Sequence, residues 1–381
     1  MSGIQPVGVH QPRRNLEMRI CLTLAGIFFI MATSPAKTCF ADGPAGALAT
    51  PAKAENKNPP ELGKVAWLRG FESAAAKAKT DNKPLLVLFQ EVPGCSTCVG
   101  YGGQVLSHPL IVEAAETLFT PVCIYNNIKG DDERTLKLFS EPAWNNPVVR
   151  IMTADKKPLT DRVAEDYTVA GLASAMCKAV EKSGGRVPAY LRLLADETGA
   201  RKGRIEKATF AMHCFWEGEG ALGKLDGVVG TMPGFVDGLE VVEVEFDPAR
   251  LSFDKLLSEA KSMKCASKVF ARSDAQLSTA KKTVGDAAVR SDEKVRPDKE
   301  PKYYLLQTPL RHVPMTPLQA ARVNAALGKH ESANPFLSPR QLALLAEIKS
   351  RPKADWPIVI GKDITAAWEV SSRLASSPGG K

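Results

Sequence analysis

The sequence predicts a protein of α/β and α+β class, with three folded parts behind an N-terminal leader. In residues 63–185, helical spacing of apolar residues alternates with short unbroken apolar runs, which is typical of a buried sheet covered by helices. Residues 204–285 contain a strand of strict apolar–polar alternation, which indicates a sheet with two different faces. Residues 302–381 contain two short amphipathic helices, each opened by a capping residue and a proline.

The leader has the composition of a secretory signal. Arg13, Arg14 and Arg19 precede the apolar run 20–32, and small residues then lead to a cleavage pattern that ends at Ala41. The run is too short to span a bilayer comfortably. We therefore expect residues 1–41 to be removed and the mature protein to be periplasmic or extracellular. An uncleaved membrane anchor is the alternative, and only then would the protein contact a membrane.

Three other segments show no strong periodicity. Residues 42–62, rich in Ala, Pro, Lys and Asn, are expected to form a flexible linker. Residues 276–301 are charged and poor in large apolar side chains, which indicates a linker with some helix. The tail after Ser371 is expected to be disordered.

Charge and cysteine content exclude several classes. The net charge of +8 is spread along the chain without a basic stripe interleaved with aromatics, so no nucleic-acid partner is expected. Outside the leader the cysteines are Cys95, Cys98, Cys123, Cys177, Cys214 and Cys265. They are too sparse for a disulfide scaffold, and no second ligand pair completes a zinc site, so neither a metal nor a cofactor is expected. A few redox-active thiols among buried ones is the better account.

The first pair of thiols follows a buried strand. The apolar run 85–89 is followed by a Pro-Gly turn and then by Cys95-Ser-Thr-Cys98. This order is typical of a redox dithiol at the mouth of a βα unit, with the first sulfur exposed at the helix start and the second behind it. Cys123 and Cys177 are expected to be core residues. Pro147, at the head of strand 145–152, is a candidate cis-proline facing the dithiol.

Residues 63–185 resemble a thioredoxin-fold domain. The matching features are Trp67 and Phe71, the strand from Lys83 to Phe89, Cys95-Ser-Thr-Cys98 and Pro147. The segment Val92-Pro-Gly-Cys95 is similar to a bacterial thioredoxin-like group that carries selenocysteine or cysteine at the position of Cys95. Gly94 stands where the family usually has a tryptophan. The resemblance implies a thioredoxin fold with a redox-active disulfide at Cys95 and Cys98.

Cys214 is the second candidate nucleophile. A short apolar strand runs into Cys214, then into Phe215, Trp216 and a helix. A thiol in the first helical turn meets unsatisfied N–H groups and the positive end of the helix dipole, which favour the thiolate. An inert buried cysteine is the alternative.

Glu240 heads the apolar face of the alternating strand 240–248. A carboxyl at the edge of an apolar face keeps its proton more readily than a solvated one. A side chain that donates a proton near neutral pH needs this property. A solvated strand-end carboxylate is the alternative.

Residues 205–275 resemble the A-type peptide-methionine sulfoxide reductase family, which implies a two-layer α/β domain. The matching segments are Thr209-Phe-Ala-Met-His-Cys-Phe-Trp216, Leu225-Asp-Gly-Val-Val229, Glu240-Val-Val-Glu-Val-Glu-Phe-Asp-Pro248 and Leu251-Ser-Phe-Asp-Lys-Leu-Leu257. The resemblance implies that Cys214 is the catalytic cysteine. It implies that Phe215 and Trp216 form the pocket for the substrate methyl and that Glu240 protonates the sulfoxide oxygen.

One tyrosine-bearing segment of that family is missing between Gly234 and Glu240, and a second is reduced to Lys264-Cys-Ala-Ser-Lys-Val-Phe270, which has no tyrosine. Tyr303 and Tyr304 could substitute in space for the two missing tyrosines.

The sequence thus predicts an exported sulfur redox enzyme that reduces methionine-S-sulfoxide at Cys214, with electrons from the Cys95/Cys98 dithiol. Its partners would be an oxidised protein or peptide, carrying methionine sulfoxide or a disulfide, and an external thiol reductant. Cys265 is the nearest candidate by sequence for the thiol that resolves oxidised Cys214, and the dithiol is the other. The alternatives are a thiol–disulfide oxidoreductase or thiol peroxidase with a degenerate reductase-like domain, and a non-enzymatic binding module.

Overall fold

A computed structural model of the chain describes residues 58–144 and 147–376. These residues belong to one compact unit, Thr50–Lys381. The predicted signal peptide, residues 1–41, and the predicted linker as far as residue 57 lie outside the described residues. No helix of the described part combines the length and the apolar character needed to cross a membrane.

The first sheet has four strands in the order β1-β3-β2-β4. The strands are β1 (Leu68–Arg69), β2 (Leu85–Gln90), β3 (Thr120–Tyr125) and β4 (Val148–Met152). The helices around them are α1 (Phe71–Asp81), α2 (Ser96–Gln104), α3 (Pro109–Leu118), α4 (Asp131–Leu138) and α5 (Val169–Lys182). Strand β3 is parallel to β1 and β2, whereas β4 is antiparallel to β2. This is the topology that the predicted thioredoxin fold requires.

Strand β2 is buried at every position, as its unbroken apolar run predicts. Leu86 and Leu88 face one apolar cluster, whereas Val87 and Phe89 face another on the opposite side of the sheet. Helices α2, α3 and α5 cover the first cluster, and α1 and α4 cover the second. The sheet is therefore enclosed by helices on both faces, and its strand ends are left to carry the site.

A helix joins the first sheet to the rest of the chain. Most of the polar stretch 195–204 belongs to this helix, α6 (Ala189–Lys202). Tyr190, Leu191 and Leu194 of α6 pack into the core of the first sheet. The polar residues of α6 contact later parts of the chain. The Glu197 carboxylate accepts the backbone N–H of Leu318, and Arg201 pairs with Glu245. The polar composition of residues 195–204 therefore reflects a helix that contacts other parts of the protein on both sides.

The second sheet has six strands in the order β10-β6-β7-β5-β8-β9. The strands are β5 (Glu206–Ala211), β6 (Val228–Val236), β7 (Leu239–Phe246), β8 (Lys268–Ala271), β9 (Ala288–Arg290) and β10 (Arg296–Pro297). The helices are α7 (Phe215–Gly223), α8 (Phe253–Ser262) and α9 (Asp274–Val284). Neighbouring strands are antiparallel except β8 and β9. Val242, Val244 and Phe246 are fully buried, as the alternation predicts.

The structure of residues 276–301, predicted to be a linker with some helix, is more ordered than that prediction. Most of α9, both edge strands β9 and β10, and the turns between them lie in it. Short edge strands need few large apolar side chains, because much of their stabilisation comes from backbone pairing. For that reason their composition resembles that of a linker.

The C-terminal part is helical, as predicted. Its helices are α10 (Tyr303–Leu306), α11 (Pro317–Gly328), α12 (Pro339–Ser350) and α13 (Ile364–Ser376). Thr316 caps α11, and Ser338 with Gln341 forms a capping box at α12. Helix α13 continues to Ser376, so the expectation of disorder directly after Ser371 is wrong. Ile364, Ala367 and Ser371 are the buried residues of this last helix.

Candidate thiol sites

The first site is the Cys95/Cys98 dithiol at the start of α2. Cys95 is the N-cap residue and is exposed, whereas Cys98 is buried one turn later, with 3.5 Å between the two sulfurs. The backbone N–H and the thiol of Cys98 lower the pKa of Cys95. Burial raises the pKa of Cys98 to about 11. The pair is therefore asymmetric: an exposed thiol that ionises readily stands in front of a buried one that does not.

The loop that presents Cys95 is held by side chains from other segments. Glu61, in the segment assigned to the linker, is buried, and its carboxylate accepts the backbone N–H of Gly94 at 2.7 Å. The Asn127 side chain bonds both backbone groups of Val92. The Gln90 amide donates to the carbonyls of Glu61 and Cys98. Sequence reasoning missed Glu61, because a single acid in a Pro-rich stretch has no periodic pattern that would show its burial.

Pro147 lies at the same end of the sheet. It directly precedes β4, whose first residue, Val148, pairs with Phe89 near the end of β2. The peptide bond before Pro147 includes Asn146, which is outside the described residues. The cis-proline assignment at Pro147 therefore stays a prediction. A cis bond does occur in the dithiol loop itself, between Val92 and Pro93.

Three groups at the dithiol are candidate metal ligands. One ligand atom from each of Glu91, Cys95 and Cys98 lies within 4.8 Å of the others, and within residues 58–144 and 147–376 no other such group of three or more occurs. Structural zinc sites use four protein ligands, so this group is one short. The arrangement suits a dithiol that cycles between reduced and oxidised forms better than a closed metal site.

The pKa asymmetry of the dithiol predicts a pH profile for alkylation. In a Cys214→Ser background, iodoacetamide should modify Cys95 with a midpoint below about 8.5, the ordinary cysteine value. The reason is that the groups of Cys98 stabilise the Cys95 thiolate. Peptide mass spectrometry across the pH range measures the rate at each cysteine. Cys98→Ala should raise the midpoint only in part, because the backbone N–H remains. A midpoint at or above the ordinary value contradicts the assignment.

The second site is built around Cys214, which is half-buried at the N-cap of α7. Its own side chain does not cap the helix. Instead the Glu240 carboxylate, from β7, accepts the backbone N–H of Phe215 at 2.9 Å. A carboxylate at this position completes the helix start and lies beside the thiol. Glu240 is thus engaged at the site and is not a solvated strand end.

Aromatic side chains surround the start of α7. Phe215 is buried and packs edge-on against Phe235, with ring centroids 5.2 Å apart. Trp216 stacks on Phe215 at 5.7 Å and on Tyr303 at 4.0 Å. The Trp216 indole N–H donates to the Asp298 carboxylate at 3.2 Å. The predicted pocket residues Phe215 and Trp216 therefore lie together, and two residues from a later segment complete their surroundings.

Both tyrosines of α10 lie at this site. Tyr303 stacks on Trp216, and Tyr304 packs edge-on against Tyr303. Burial raises the pKa of Tyr304, and the neighbouring groups of Glu217 and Cys214 raise it further. The structure thus brings together groups that sequence reasoning could only name as candidates.

A buried ion pair fixes the tyrosines to α7. The Lys302 ammonium donates to the Glu219 carboxylate at 2.6 Å and to the Thr231 carbonyl at 2.7 Å. The backbone N–H of Lys302 also donates to Glu219, at 2.8 Å. Glu219 and Lys302 are both buried. Sequence reasoning missed this pair, since 83 residues separate its members and no local pattern connects them.

Cys265, the candidate resolving thiol, is buried in the same apolar cluster as Phe215, the residue that follows Cys214. Burial raises the pKa of Cys265, and the charges of Glu217 and Cys214 raise it further. Cys123 and Cys177 are instead buried in the core of the first sheet, where burial raises the pKa of each thiol, as expected of core cysteines.

The chain is similar to two groups of known proteins. Residues 66–154 match the family model described as Thioredoxin-like. Peptide methionine sulfoxide reductase MsrA of Geobacter metallireducens is 40% identical, over 14% of this chain and 43% of the relative. The MsrA of Methanothermobacter thermautotrophicus is 41% identical, over 14% of this chain and 42% of the relative. MsrA 1 of a Nostoc species is 35% identical, over 16% of this chain and 47% of the relative.

The chain thus spans less than half the length of these curated relatives. The match to a solved structure titled DsbH Oxidoreductase has 17% sequence identity and a TM-score of 0.27. The matched region covers 34% of this chain and 93% of the chain in that structure. The family match and the curated relatives confirm the predicted thioredoxin-like region and the predicted likeness to methionine sulfoxide reductases.

Proposed function

We propose that the protein is a sulfur redox enzyme that reduces methionine-S-sulfoxide at Cys214. One observation carries the proposal: the Glu240 carboxylate caps α7 at the N–H of Phe215, 2.9 Å away, which sets an acid beside a half-buried thiol. The aromatic rings of Phe215 and Trp216 adjoin the same helix start. A nucleophile, a proton donor and an apolar surface are the three elements that this reaction needs.

In the proposed reaction, the Cys214 thiolate attacks the sulfoxide sulfur while protonated Glu240 donates its proton to the sulfoxide oxygen. The sulfur–oxygen bond of the substrate breaks, and the hydroxyl group passes to Cys214. Methionine leaves and Cys214 becomes a sulfenic acid. Two electrons have moved from the thiol to the substrate.

A second thiol then condenses with the sulfenic acid to give a disulfide and water. Cys265 is supported by its burial in the apolar cluster that contains Phe215, the residue that follows Cys214. The Cys95/Cys98 pair is the other source, and it belongs to the same compact unit of the chain as Cys214. An external thiol reductant returns the enzyme to its starting state. Export to the periplasm or the extracellular space is part of the proposal and rests on the composition of residues 1–41.

A single-turnover experiment tests this function. Reduced protein, freed of reductant, is mixed with one equivalent of a peptide carrying methionine-S-sulfoxide, and methionine and oxidised Cys214 are followed by mass spectrometry. We expect one methionine per chain and, in a Cys95→Ser/Cys98→Ser background, an oxidised Cys214. The R epimer is the matched control, since it presents the oxygen on the wrong side. Equal rates for both epimers, or an unmodified Cys214 in the Cys95→Ser/Cys98→Ser background, would contradict the proposal.

A thiol–disulfide oxidoreductase acting through Cys95 and Cys98 is the second candidate. It is favoured by the exposure of Cys95, by its lowered pKa and by the 3.5 Å between the two sulfurs. Insulin reduction would then be lost in Cys95→Ser and retained in Cys214→Ser. Sulfoxide reduction that is instead lost in Cys214→Ser and retained in Cys95→Ser would separate the first candidate from the second.

A further inference from the structure

We infer that residues 296–304 form a wall of the proposed methyl-binding pocket at Phe215 and Trp216, and that Tyr303 determines the size of the alkyl group that this pocket accepts. This inference rests on the proposed function and names a specificity residue for it. The wall lies outside residues 205–275, the segment that resembles the reductase family. It belongs to the part of the chain predicted to be a linker and a cap.

Trp216 has little free aromatic surface. Its ring lies 4.0 Å from that of Tyr303 with an angle of 11° between the planes, which is van der Waals contact over the face. Phe215 adjoins it at 5.7 Å and 27°. No alkyl group fits between Trp216 and Tyr303 while the two rings are stacked. A substrate group that contacts Trp216 must therefore be small, or it must displace Tyr303.

The wall is anchored at two places. At one end, β10 pairs with β6, and Asp298 both donates its backbone N–H to the Pro233 carbonyl and accepts the indole N–H of Trp216. At the other end, Lys302 is bound to Glu219 and to the Thr231 carbonyl.

Glu219 lies one helical turn after Phe215 in α7, the helix that begins at Cys214. The ion pair therefore fixes the wall to the same helix that carries the nucleophile. Glu219 and Lys302 are positioning residues for Tyr303, since they act on the pocket through it.

The size limit can be measured as a selectivity ratio. A single extra methylene in a well-fitted apolar pocket changes kcat/KM by about 10–200-fold. We expect the parent to prefer a methyl sulfoxide over its ethyl homologue within this range. Tyr303→Ala should reduce the ratio at least about tenfold, because the face of Trp216 becomes free. Tyr303→Phe keeps the ring and should keep the parental ratio. Tyr303→Leu serves if the alanine variant does not fold.

A second readout needs no sulfoxide turnover. In a Cys95→Ser/Cys98→Ser background, Cys214 is alkylated with iodoacetamide and with bulkier N-phenyl iodoacetamide, and the rates are compared by mass spectrometry. Tyr303→Ala should raise the relative rate of the bulky reagent at least about tenfold, by the same steric argument. If the parent reduces no sulfoxide, the proposed function fails, and this ratio still tests the wall. An unchanged ratio in Tyr303→Ala and Tyr303→Leu overturns the inference.

Discussion

Replacing Cys214 with serine is expected to lower the reduction of methionine-S-sulfoxide by at least about 10⁴-fold, the scale on which loss of a covalent nucleophile reduces kcat. A hydroxyl at this position is not ionised near neutral pH and cannot form the sulfenic acid that stores the oxygen. The substitution should leave the fold intact, because Cys214 occupies an N-cap position, where serine is among the preferred residues. Steady-state release of methionine from a sulfoxide peptide, with a chemical thiol reductant, measures the effect.

Two other variants make this result specific. Cys177→Ala alters a thiol buried in the core of the first sheet, away from α7, and should keep the parental rate. Glu240→Gln keeps an acceptor for the Phe215 N–H but cannot deliver a proton, so it should lose about 10²–10⁴-fold. Parental turnover of the S epimer by Cys214→Ser would refute the proposed mechanism outright. It would leave the Cys95/Cys98 dithiol as the only remaining candidate among the described sites.

Local patterns in the sequence predicted the two thiol sites because their chemistry is local. Cys95 and Cys98 are three residues apart, and Cys214 directly precedes the aromatic residues Phe215 and Trp216. The position of Glu240 followed from strand alternation together with the family resemblance. These features need only one helical turn or one strand to be recognised.

The remaining parts of the site depend on contacts that no periodicity encodes. Glu61 is buried by the dithiol loop, although its own segment has a linker composition. Lys302 appears in the sequence as one lysine among many, and only the folded chain places it against Glu219. The same reason explains the missed role of residues 296–304. Edge strands and short helices have weak sequence patterns, and their positions are set by what they pack against.

Replacing Lys302 with methionine is expected to lower the free energy of unfolding by about 3–5 kcal/mol, because Glu219 would be left as an uncompensated buried charge. Urea unfolding of the full chain, followed by near-UV circular dichroism, measures the change. Lys64→Met is the matched control: Lys64 pairs with Glu369 at the surface, with 43% and 51% of the two side chains exposed. Breaking an exposed pair of this kind costs about 0–1 kcal/mol. Similar losses for the two lysines would contradict the assigned burial.

The double variant Glu219→Gln/Lys302→Met separates stability from positioning. It removes both charges and keeps an amide oxygen to accept the backbone N–H of residue 302, so much of the lost stability should return. The wall would still lack the ammonium that ties it to the Thr231 carbonyl. A stable double variant with a reduced methyl-to-ethyl selectivity ratio means that the pair positions Tyr303. A stable double variant with parental selectivity means that the pair contributes to folding alone and that the Trp216–Asp298 contact suffices to hold the wall.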